Sequence, residues 1–152
     1  IRFKEHDVRP MGRVASGVIG IRLEKDQKVV GADVVPCATA KALGDTRSGV
    51  EKGLQILVVM GNGYGKRSDL KFYKIQNRGG RGIMTAKVTP KTGKVVSAHI
   101  VSEENKELVA VSLKGQVIRT PIGGISVLGR ATQGVRIMRV EAGDGLASVA
   151  IT

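Results

Sequence analysis

The sequence predicts an all-β protein: a partial array of roughly three propeller-like blades, each a small sheet of about four antiparallel strands. Three observations predict it. One pattern recurs three times in strict register. Short apolar runs of Val, Ile, Leu and Ala alternate with glycines, 21 in all. Aromatic residues are nearly absent, with two Phe, two Tyr and no Trp. Apolar, β-branched runs punctuated by glycine favour short strands joined by tight turns. At 152 residues the chain is long enough to bury a core.

The repeat aligns residues 2–23, 67–88 and 119–140 without gaps. Arg2, Arg67 and Arg119 share the first position. Further along stand Arg13, Arg78 and Arg130, then Gly17, Gly82 and Gly134, then Leu23, Val88 and Val140. Matched positions at constant spacing in three copies signal a tandem architecture rather than chance. Repeat units are expected at about 1–35, 54–102 and 107–152, all within one domain. The first copy begins inside its unit, so the chain is expected to be part of a larger array.

Each unit has the same strand grammar. Leu57–Met60 is a short apolar run that ends at Gly61-Asn62-Gly63, a turn sequence, and Leu108–Leu113 ends in the same way at Lys114-Gly115. After the repeat glycine a further strand is expected, as at Val135–Val140, where apolar and basic residues partly alternate. Val95–Val101 and Leu146–Ile151 complete the second and third units. Residues 36–53 are small, polar and Gly-containing and are expected to form an inserted surface loop, with one short helical turn at Ala40–Leu43.

Charge points to a partner. The net charge is +12. Residues 62–94 alone hold nine basic side chains (Lys66, Arg67, Lys71, Lys74, Arg78, Arg81, Lys87, Lys91 and Lys94) against one acid, Asp69. Surfaces that serve only solubility mix the two signs. A one-signed stretch fits a polyanion, whose phosphates Lys and Arg neutralise with release of counterions. Single-strand binders need aromatic stacking platforms, and only Tyr64, Phe72 and Tyr73 are nearby, so duplex backbone contact is favoured.

The sharpest local feature is Gln76-Asn77-Arg78-Gly79-Gly80-Arg81-Gly82. Glycines permit close approach of the main chain to a phosphate, backbone N–H groups in such a turn can form an anion-binding nest, and Arg78 and Arg81 supply forked donors. Other candidates carry less. Gly61–Lys66 lacks the spacing and the Ser/Thr of a nucleotide phosphate loop and is expected to be a strand-connecting turn. Cys37, the one cysteine, cannot form an internal disulfide, and it reads as inert. His99, in an apolar strand run, reads as structural. The two histidines are far apart in sequence, and no four-ligand zinc pattern or acid–base–nucleophile constellation is present. No apolar run approaches the ~20 residues that span a bilayer. The chain is therefore expected to be cytoplasmic, free of metal and cofactor, and not associated with a membrane.

Three stretches carry a family resemblance: FKEHDVRPMGRVASGVIGIRL at 3–23, NGYGKRSDLKFYKIQNRGGRGI at 62–83 and ISVLGRATQGVRIMRV at 125–140. They resemble the last blades of the C-terminal domain of the DNA gyrase A subunit. The resemblance implies a β-pinwheel that exchanges strands between blades and bends duplex DNA around a basic outer rim. It implies that this region is non-catalytic and supports negative supercoiling by a holoenzyme that includes gyrase B and the rest of the A subunit, with ATP and Mg²⁺ handled elsewhere. The family's box of Gln, two basic residues, two glycines, a basic residue and Gly is matched by Gln76, Arg78, Gly79, Gly80, Arg81 and Gly82, with Asn77 in place of a basic residue. Two readings fit this segment: the main box, and an additional box-like loop. Lys66, Arg67, Lys71, Lys74, Arg13, Arg119 and Arg130 complete the expected DNA-contacting set. The alternatives are the equivalent domain of topoisomerase IV and, from another class, a basic RNA-binding or protein-interaction β-repeat module.

Overall fold

The computed structural model describes residues 1–35, 53–102, 104 and 106–152. They form two compact units: residues 1–29 with 73–84, and residues 30–72 with 85–152. No α-helix occurs among the described residues, and each pair of neighbouring strands is antiparallel, so the predicted all-β class holds. The expected helical turn at Ala40–Leu43, Cys37 and all of the 36–53 loop except Gly53 lie outside the described residues.

The second unit carries seven strands: β1 Gln55–Met60, β2 Tyr64–Asp69, β3 Val95–Val101, β4 Glu107–Ser112, β5 Val117–Pro121, β6 Val135–Arg136 and β7 Leu146–Ile151. One sheet runs β3-β1-β2-β6 and the other β5-β4-β7. Strand β1 is central and buries both faces, because alternate residues point to opposite sides. Leu57 and Val59 join Val101, Leu108, Ala110, Ile122, Ile125, Met138 and Leu146 in the larger core. Val58 and Met60 pack on the other face with Tyr64 and Ala86. Burying a side chain such as Leu57 completely contributes about 1.5–3 kcal/mol.

Three differences from the sequence reading have local causes. Gly61–Gly63 does turn the chain, with Gly63 at φ 77° and its N–H donating to the Met60 carbonyl, but Tyr64–Lys66 already belong to β2. The strand expected over Val135–Val140 stops at Arg136, because the N–H groups of Ile137 and Met138 both donate to the Gly63 carbonyl and leave the ladder. The fourth strand of the first sheet, β6, comes from the third repeat, and the second sheet has three strands among the described residues.

The first unit contains no strand among its described residues and is held by a 3₁₀ turn, Glu5–Asp7, and by scattered main-chain bonds. Equivalent 3₁₀ turns stand three residues after the repeat arginine in the other copies, at Leu70–Phe72 and Ile122–Gly124. The repeat glycine is explained by its backbone: Gly17, Gly82 and Gly134 have φ of 82°, 77° and 80°, a conformation that disfavours any side chain.

One interlock occurs in both units in the same register. In the first unit Arg2 Nη1 donates to the Tyr73 carbonyl, Gln76 N–H to the Arg2 carbonyl and Arg22 N–H to the Gly80 carbonyl. In the second unit Arg67 Nε donates to the Ile125 carbonyl, Leu128 N–H to the Arg67 carbonyl and Lys87 N–H to the Thr132 carbonyl. Every partner is displaced by the repeat offset. The arginine that opens each of the first two copies is therefore a latch onto the copy that follows it.

Candidate nucleic-acid interface

The expected contact residues divide by what already holds them. Lys66 is corrected: it lies on β2 opposite Val58 and is 0% exposed. Its ammonium donates to the Gly129 carbonyl at 2.5 Å, to the Arg130 carbonyl and to Thr132 Oγ1 at 3.1 Å. Burial, with a smaller push from the Arg130 charge, lowers its pKa from 10.5 to about 8. A group enclosed in this way cannot reach a phosphate.

Arg67 is also held by the scaffold. Nε reaches the Ile125 carbonyl at 2.8 Å, Nη1 reaches Gln55 Oε1 at 3.1 Å and Nη2 reaches the Gly123 carbonyl at 3.0 Å. The rigid guanidinium fork suits three acceptors spread over two chain segments. Arg78, within the glycine-rich loop, donates from Nε to the Asp7 carbonyl at 3.0 Å and from Nη1 to the Ile19 carbonyl at 2.6 Å. Gly79 has φ 77°, and its N–H donates to the Gly20 carbonyl. Gly80 offers its carbonyl to Arg22 N–H, and Gln76 N–H is held by Arg2. Gly82 packs on Ile1, where an added Cβ would come within 3.1 Å of the backbone nitrogen. The Gly79 N–H is thus taken within the fold and does not contribute to the anion nest expected there.

The remaining side chains face water. Arg81, Lys74 and Arg13 are exposed and make no hydrogen bond or ion pair to a described residue. Lys71 is exposed but pairs with Asp69 at 2.9 Å and lies 5.2 Å from the Phe72 ring centre. That pairing is the main cause that holds the Asp69 carboxyl below the usual carboxylate range. Arg119 forms an exposed ion pair with Glu107. Arg130 is half-buried, with its carbonyl taken by Lys66. Outside the expected set, Lys87, Lys91 and Lys94 are exposed on the second unit. His99 is paired with Ser97 Oγ at 2.6 Å on β3, the structural role expected of it. Among the described residues no group of three or more His, Cys, Asp or Glu is placed to hold a metal ion, and no helix is long and apolar enough to cross a membrane.

Sequence reasoning missed a third group of cations, Arg136 and Arg139 beside Tyr64 and Lys91. The pairing of β2 with β6 brings them together, and no local pattern announces a pairing between residues so far apart in sequence.

Comparison with known proteins gives a consistent answer. Residues 1–36, 61–102 and 106–152 match the family described as DNA gyrase C-terminal domain, beta-propeller. The DNA gyrase A subunit of Staphylococcus epidermidis is 42% identical over 150 residues, covering 99% of this chain and 15% of that protein. A solved structure of the DNA gyrase A C-terminal domain superposes with a TM-score of 0.75 at 29% identity, covering 98% of this chain and 45% of that one. The C-terminal domain of DNA topoisomerase IV shares the fold, with a TM-score of 0.82 at 18% identity over 98% of this chain and 42% of that one. This chain, a short span of its full-length relatives, belongs to the DNA gyrase C-terminal domain family.

Proposed function

We propose that the chain is a duplex DNA-binding and wrapping segment of a gyrase A protein, non-catalytic in itself. It bends DNA over exposed cations and so supports ATP-dependent negative supercoiling by a cytoplasmic holoenzyme formed with gyrase B and the rest of the A subunit. ATP, Mg²⁺ and the strand-cleaving chemistry belong to other parts of that assembly. The observation that carries this reading is the one-signed set of exposed side chains in residues 71–94: Lys71, Lys74, Arg81, Lys87, Lys91 and Lys94 all face water. Point charges on long stems, most of them free of carboxylate partners, suit phosphates without reading base sequence. The scarcity of exposed aromatics argues against recognition by base stacking.

The test is topological. Relaxed circular plasmid is religated in the presence of excess chain, deproteinised and resolved into topoisomers. Wrapping shifts the mean linking number in proportion to bound chain. An unshifted distribution at saturating binding would remove the wrapping part of the proposal.

A further inference from the structure

We propose that a phosphodiester of duplex DNA seats on a cradle formed by Tyr64, Arg136, Lys91 and Arg139, a site that rests on the DNA-binding reading above and that the repeat itself does not supply. These residues are among those that line a cleft of about 360 Å³ in the second unit. Tyr64 and Arg136 are direct cross-strand partners on β2 and β6. Arg136 Nη2 donates to the Tyr64 phenol at 3.0 Å, and its guanidinium carbon lies 5.5 Å from the ring centre. Lys91 Nζ lies 5.7 Å from the centre of the same ring. Arg139 lines the same cleft, exposed and without a partner among the described residues.

The cradle is preorganised. Tyr64 is 8% exposed and anchored among Val58, Met60 and Ala86. The loop that carries Lys91 is pinned by Asn62, whose Nδ2 donates to the carbonyls of Pro90 and Lys91 at 2.9 and 3.1 Å. Two cations thus gather at one aromatic ring, with a third in the same cleft. Their mutual repulsion is relieved by an anion with several acceptor oxygens, and Arg136 uses one of its five N–H donors on the phenol. The hydrogen bond from Arg136 also holds the Tyr64 phenol below its usual pKa. Glu141 and Asp144 also line the cleft. The Asp144 carboxylate already accepts N–H bonds from Lys114 and Gly145. The repeat does not require this arginine: the positions equivalent to Arg136 are Ile19 and Met84.

The experiment measures binding of a 30-base-pair duplex by fluorescence anisotropy from low to moderate salt, for the chain and for its R136Q and R139Q variants. Both arginines are exposed, so thermal unfolding should be unchanged, and R139Q guards against a local effect of removing the Arg136–Tyr64 bond. Each variant is expected to weaken binding about five- to tenfold near 0.1 M salt, and to make the log–log salt slope shallower by about 0.9. Wild-type affinity and slope in both variants, with the parent chain binding normally, would overturn the cradle and leave the DNA-binding reading intact. Absence of duplex binding by the parent chain would overturn both.

Discussion

Strand β2 and the residues from Lys74 to Arg81 are both rich in basic side chains beside glycines, yet the fold uses them differently. On β2, Lys66 and Arg67 turn inward and hold main-chain carbonyls of the following repeat. In the glycine-rich loop Arg78 acts similarly on Asp7 and Ile19, whereas Lys74 and Arg81 stay in water. Of the nine cations between residues 62 and 94, Lys66, Arg67 and Arg78 are scaffold donors and Lys71 is ion-paired. Formal charge therefore overstates the charge that a polyanion can meet.

Lys66→Met should have the largest effect. It leaves the Arg130 carbonyl without its Lys66 donor and the Gly129 carbonyl with the Thr132 hydroxyl alone, and it empties a buried polar position, which should lower unfolding free energy in urea by about 3 kcal/mol. The same residue sets a pH dependence. Its folded pKa is about 8 and its ordinary value 10.5, so between these values the unfolded chain binds the extra proton. The Lys66 contribution therefore makes the fold more stable as pH rises from about 8 towards 10.5. In Lys66→Met that rise should be absent, and an identical pH profile in both proteins would contradict the burial of the ammonium.

Arg67→Ala should cost about 2 kcal/mol, and Arg67→Lys should recover little of it, because an ammonium cannot serve three acceptors from the same place. Full recovery in urea titrations would show that charge, not the fork, makes the latch. The smallest stability effects separate Arg78 from Arg81. Arg78→Ala should cost about 1 kcal/mol, and Arg81→Ala should stay within about 0.5 kcal/mol of the parent. DNA binding should reverse the order, with Arg81→Ala reducing the salt slope by about 0.9.

Much of the fold was legible in the sequence. Val95–Val101 and Leu146–Ile151 form strands over the expected residues, and the apolar runs at 57–60 and 108–112 became central strands, because continuous apolar β-formers have few alternatives to burial. Strand β2 was hidden because Gly65 and Lys66 fall in a stretch that reads as a turn, and Ser68 adds a polar residue to a run without apolar periodicity. Each is accommodated by a tertiary contact that sequence does not display: Gly65 leaves no room for a Cβ beside Ile137 and Val58, Lys66 finds three oxygens, and Ser68 donates to the Leu128 carbonyl. The basic stretch was visible as composition, but the split between latch and exposed cation was not, since it depends on which carbonyls the next repeat brings near.

Binding of the DNA backbone by exposed cations on this scaffold is tested by the affinity of the chain for a random-sequence duplex as salt is raised. About six phosphate contacts predict a log–log slope near −5, with little change between sequences. A flat response to salt, or binding confined to one base sequence, would contradict it.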